Sequence, residues 1–165
     1  MQDFMINLFG DFGRIIIFLH IVGAAFLVGS LFMIRFVIKP TLMSIENEAI
    51  RYGQCIRMLD RYFYYLFVVM ILIILVSTTM SVGLGFEYAN PTLYSIIHMK
   101  EAFWIFMAFN FLYMYFKLRS AKKFYKRRDF FEVHENLGLI VNWFIPLNLI
   151  MTLIASYVGI IIRGF

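Results

Sequence analysis

Residues 15–38 read IIIFLHIVGAAFLVGSLFMIRFVI, an apolar run broken only by His20 and Arg35. A helix needs about 20 apolar residues to cross the hydrocarbon layer of a bilayer, and this run supplies them. It is too long for the apolar core of a cleavable signal, so it reads as a span rather than a leader. Three more stretches of the same kind follow, at about 62–84, 92–118 and 137–162. None shows the alternation with a period of two that a barrel strand needs. The composition agrees: of 165 residues, 62% are hydrophobic and 15% charged, whereas a water-soluble domain is nearer half apolar and a quarter charged. The expectation is an all-α membrane protein, a single four-transmembrane-helix bundle over 1–165.

Charge orients the bundle. Lys39, Arg51, Arg57 and Arg61 lie between the first and second spans. Lys117, Arg119, Lys122, Lys123, Lys126, Arg127 and Arg128 lie between the third and fourth. Near the other ends of the spans only Arg14 and Arg163 are basic. Cytoplasmic loops carry the excess of Lys and Arg, so both basic segments are expected inside. Both termini and the short loop around Glu87 then face outward, on the periplasmic side of a bacterial inner membrane. The same asymmetry explains the net charge of +5, and membrane lipid, not nucleic acid, is the expected partner of these cations. Between Thr41 and Tyr62, Ile45, Ala49, Ile50, Ile56 and Leu59 recur at roughly helical spacing. That stretch is expected either to lengthen the second span or to lie along the interface. Cys55, the single cysteine, excludes an intrachain disulfide.

Ionisable residues inside a span are costly and point to function. His20, His98, Lys100 and Glu101 qualify. Counting 1.5 Å per residue from the outer ends, His20 and His98 both lie about 9 Å deep. Thr78, Thr79, Ser156 and Tyr157 fall near the same level. Two histidines at one height on separate helices are suited to bracket a haem iron, since neutral imidazole is a common axial ligand. Gly23 and Ala24, a turn beyond His20, and Ala102, a turn beyond His98, would give a macrocycle room. Phe18, Phe103 and Trp104 could wall it, and Lys100 and Arg14 could meet its carboxylates. Another metal, or plain hydrogen bonding between helices, remains open on the residues alone. Met70, Met80, Met99, Met107 and Met114 show no obvious common face of the kind a thioether path for cuprous copper would need. His134, in the run Glu132-Val133-His134-Glu135-Asn136, reads as a solvated helix end. No phosphate loop, zinc pair or nucleophile elbow is present.

Leu19-His20-Ile21-Val22-Gly23, followed by Gly29 and Arg35, resembles the first span of the HemJ-type protoporphyrinogen oxidases and the related CopD-like membrane proteins. His98-Met99-Lys100 resembles the histidine-x-lysine motif of the HemJ-type family, and Asn142 with Pro146 its Asn-Glu-x-Pro stretch. The order of spans is similar over nearly the whole chain. Departures are Asn110-Phe111 in place of a tyrosine-histidine pair, Trp143 in place of the glutamate, and a proline displaced by one position. The resemblance implies one b-type haem, with His20 as an axial ligand, His98 as a second ligand candidate and Lys100 as a catalytic or propionate-binding residue. It implies electron transfer or oxidation of protoporphyrinogen IX to protoporphyrin IX, with a redox partner in the membrane. The alternatives are CopD-like copper transport and a non-catalytic subunit of a larger complex. A homo-oligomer is compatible with so much apolar surface.

Overall fold

The computed structural model describes residues 2–84 and 91–162, with backbone alone at 91–93 and 162. The loop around Glu87, Gly85 and Arg163 lie outside the described residues. Four long helices follow one another, with no strand among the described residues. The first, α1, runs Gln2–Met43 and contains a π-helical turn at Ile34–Ile38. The second, α2, is Glu48–Gly83 and the third, α3, is Pro91–Lys126. The last, α4, consists of Phe130–Leu139, a second π-helical turn at Ile140–Phe144, and Ile145–Ile162.

Three of the four, α1, α2 and α4, are long and apolar enough to cross a membrane. α3 matches α2 at 36 residues, but Lys100, Glu101, Trp104, Asn110, Tyr113 and Tyr115 dilute its apolar character. The distribution of side chains suits lipid. Phe67 is 68% exposed and Trp143 71% exposed on the outside of the bundle, while Asn110, Asn148, Thr152 and Thr79 are buried inside it. In water that arrangement would leave far more contiguous apolar surface than a soluble monomer tolerates.

Helix α2 shows how sequence becomes packing. Tyr52, Ile56, Leu59, Phe63, Leu66, Met70 and Ile73 are all buried, at alternating spacings of four and three. That is the seam of left-handed helix packing, and it holds one face of α2 against its neighbours along most of its length. A 36-residue helix is about 54 Å long, against about 30 Å of hydrocarbon. α2 is therefore longer than a bilayer's hydrocarbon requires, and its first turns, from Glu48 on, extend beyond its most apolar stretch. The stretch expected to be helical from Thr41 to Tyr62 is broken at residues 44–47 and restarts at Glu48, where the Asn47 side chain accepts from the Ile50 N–H at 3.2 Å. It lengthens α2 and does not lie along the interface as a separate element.

This extension of α2 is fastened to α3. The Tyr125 hydroxyl donates to the Ala49 carbonyl at 2.9 Å, and Lys122 pairs with Asp60. Gly53 permits this approach, because a Cβ there would stand 2.6 Å from the Tyr125 oxygen. α1 packs mainly on α2 and also on α4, and α3 packs on α4 and α2, whereas α1 and α3 make no substantial contact. The two helices that carry His20 and His98 are thus diagonal in the bundle.

Candidate functional site

At the end of the bundle away from the basic segments, α2 and α3 part around a cleft of about 440 Å³. That volume falls within the usual range for small-molecule sites. Its walls are Ile74, Ser77, Thr78 and Ser81 of α2 and Ile97, Lys100, Glu101 and Trp104 of α3, with Ile17 of α1 and Gly159 of α4 beneath. The surface is mostly apolar, with a few polar groups set into it.

Helical spacing explains why these polar groups converge. Ile97, Lys100, Glu101, Trp104 and Ala108 recur at three and four residues, so they share one face of α3. Ser77, Ser81 and Thr78 do the same on α2. The Thr78 hydroxyl donates to the Ile74 carbonyl at 2.9 Å, and Thr79, one position on, is buried and donates to Leu75 at 2.9 Å. Of the two threonines expected at this level, only Thr78 lines the cleft.

The charges sort themselves by spacing as well. Glu101 does not pair with Lys100. Its carboxylate accepts a hydrogen bond from His98 Nδ1 at 2.9 Å, three residues earlier, with 52% of the His98 side chain and 58% of the Glu101 side chain exposed. Tyr94 stands edge-on to the same imidazole, with ring centroids 4.2 Å apart. A histidine held at Nδ1 by a carboxylate presents Nε2 as a basic, oriented ligand atom, the second-shell arrangement seen behind metal-bound imidazoles. Lys100, left without that carboxylate, makes no ion pair among the described residues. One turn further along the wall, Trp104 has its indole N–H buried with no acceptor among the described residues. Both donors lack an acceptor among the described residues, but the indole N–H is closed off from the cleft, so of the two only Lys100 can serve a ligand there.

The other expected residues are placed as follows. His20 is half-buried and neither it nor His98 lines the cleft, although Ile17, a turn before His20, does. Gly23 is buried, and the room its missing side chain leaves is taken by Ile73, whose Cγ1 a Cβ would meet at 2.7 Å. Ala24 is half-buried, while Ala102 and Arg14 are exposed. Phe18 is exposed, Phe103 is half-buried, and Trp104 is on the wall. Met107 and Met114 do share a buried face of α3, a pattern the sequence did not reveal. The Met114 sulfur accepts from the Asn148 amide at 3.5 Å, and the Met107 sulfur lies 3.3 Å from the Thr152 hydroxyl, whose proton goes to the Asn148 carbonyl at 2.7 Å. Seven residues separate the two methionines, about 10 Å along the helix, so they do not form one ligand set. Among the described residues no group of three His, Cys, Asp or Glu side chains could hold a metal ion.

Sequence reasoning missed Glu101 as the partner of His98, although their separation by three residues is the available signal. It also missed Ser77 and Ser81, whose i, i+4 spacing beside Thr78 marks a polar edge on an otherwise apolar helix. In comparisons with known proteins the chain matches no family model, no curated protein and no solved structure.

Proposed function

We propose that this chain is a four-span protein of the bacterial inner membrane, with both termini outside, that binds a b-type haem or a related porphyrin at its outer end. It serves electron transfer or the oxidation of protoporphyrinogen IX. The observation that carries this reading is Lys100, which has no ion pair among the described residues, on the wall of a mostly apolar cleft. A flat apolar ligand with carboxylates at its edge fits both the walls and this cation. A charge-assisted hydrogen bond from Lys100 is the strongest contact such a ligand can gain there.

The fit of a haem can be tested residue by residue. The cleft takes the macrocycle's apolar body, and Lys100 holds a propionate. His98, oriented by Glu101, and His20, on the diagonal helix, would be the residues to hold its iron, although neither lines the cleft itself. The face at Gly23 offers no room, because Ile73 fills it. A bound haem would supply a one-electron centre. The residues themselves would bind and orient it and keep water from its apolar faces, and the Glu101 carboxylate keeps the proton on His98 Nδ1 by accepting its hydrogen bond.

The topology reading is supported by the clustering of cations at one end of the bundle. α3 is read as a span because it equals α2 in length and packs against α2 and α4. Copper transport has less behind it, since the two aligned thioethers are fully buried and about 10 Å apart along the helix.

The test is the haem content of His20→Ala and His98→Ala, each purified in mild detergent beside the parent chain. The proposal expects each to lose haem or to change its axial bands. If both keep the parent's haem content and spectrum, the ligand assignment is wrong.

A further inference from the structure

At the basic end of the bundle the two π-helical turns face each other, and Arg35 Nη1 reaches the Asn142 side-chain oxygen between them at 3.4 Å. Such turns widen a helix locally and are frequent at functional positions. Beside them opens a second crevice of about 50 Å³, bounded by Ile34, Ile38 and Leu42 of α1, Met58 of α2 and Val141 of α4. That is room for about one or two water-sized groups, too little for a soluble metabolite but enough for a segment of an acyl chain.

The rim of this crevice is cationic. Lys39 and Arg51 line it, with His134 opposite, and no carboxylate does. Arg51 is held by the Ile45 carbonyl and by Glu48 on its exposed side, both at 3.3 Å. Its Nε remains buried with no acceptor among the described residues. His134 shares a hydrogen bond with the Tyr52 hydroxyl at 3.2 Å, which fixes its ring at the edge. Partial burial, and then the neighbouring Arg35 guanidinium, hold Lys39 below the usual lysine range. Two cations thus border the crevice: Lys39, with no carboxylate partner among the described residues, and Arg51, with Glu48 alone.

We propose that this crevice binds one anionic phospholipid of the adjacent leaflet, with its phosphate between Lys39 and Arg51 and an acyl chain along the apolar wall. Basic pockets between transmembrane helices are suited to such headgroups. The crevice opens where the apolar run of α1 gives way to Lys39, at the level expected for phosphates. This site stands apart from the cleft at the other end and does not depend on what that cleft binds.

The experiment uses the full chain in mild detergent. Its Tm and its retained lipid, read by native mass spectrometry, are measured with added phosphatidylglycerol, with phosphatidylcholine and with inorganic phosphate. Phosphatidylglycerol alone should raise Tm and remain bound. Lys39→Gln should weaken its retention about five-fold, the worth of one cation near a lipid surface. Arg51→Gln should weaken it further, while Lys123→Gln with Lys126→Gln, both exposed, should leave it unchanged. Lys39 makes no side-chain hydrogen bond among the described residues, so its variant carries the test even where Arg51→Gln fails to fold. Equal effects of the two lipids, or an equal loss in the Lys123/Lys126 variant, would overturn the proposal in favour of general surface charge. The full shift with inorganic phosphate alone would overturn it in favour of a soluble anion site.

Discussion

Lys100 and Trp104 stand one turn apart on the same wall; Lys100 makes no ion pair among the described residues, while the indole N–H is buried away from the cleft. A hydrogen bond to a charged group is worth about 1.5–3 kcal/mol. Lys100→Gln should therefore weaken binding of a dicarboxylic porphyrin by about ten-fold or more, read by titration of the purified chain. Trp104→Phe, which keeps the ring and removes the N–H, should cost less. Cys55 offers a separate check. Burial pushes its thiol from an ordinary 9.0 up to about 11, so at pH 8 its thiolate fraction falls about a hundred-fold. Maleimide should label it slowly in the folded chain and readily once unfolded. The sign follows from burial favouring the neutral thiol. Its contribution to stability is fully present below pH 9 and is lost as pH rises towards 11.

Within the helices, the close approach of α2 and α3 depends on Gly53. Gly53→Ala should push Tyr125 off the Ala49 carbonyl and destabilise the chain by about 1–3 kcal/mol, seen as a lower Tm. In a Tyr125→Phe background the same substitution should cost less, because the clashing oxygen is gone, so the two changes should not add. This is also the scale at which the sequence was most and least readable. The apolar runs located all four long helices, because the period and length of a span are written in hydropathy. The spacing of Lys100, Glu101 and Trp104 is compatible with one face, but the sequence alone did not single that face out. The π-helical turns at Ile34–Ile38 and Ile140–Phe144 were not legible either. The residues that flank them keep ordinary helical dihedrals, and what marks them is the backbone bond five residues back, from Lys39 N–H to the Ile34 carbonyl and from Ile145 N–H to the Ile140 carbonyl. Nor could spacing show that α2 and α3 part around the cleft while Ile73 fills the place beside Gly23. Depth along a helix can be counted from the sequence, whereas the rotation of one helix against another is settled by side chains that meet across the bundle.

Across the whole molecule, an apolar core holds a few buried polar side chains, large apolar groups cover much of the outside, and most cations gather at one end. A cysteine introduced at the exposed Asp3, in a chain with Cys55→Ala, should react with an impermeant reagent from outside intact cells. One introduced at the exposed Arg127 should react only after the membrane is breached. The reverse result would invert the bundle and place the cleft on the inner side. The most direct test of the central claim is the reduced-minus-oxidised absorption spectrum of the purified chain together with its haem content. The account predicts the bands of a six-coordinate b-type haem at about one per chain. A chain that stays colourless, and takes up neither haem nor porphyrin when these are supplied, would contradict it.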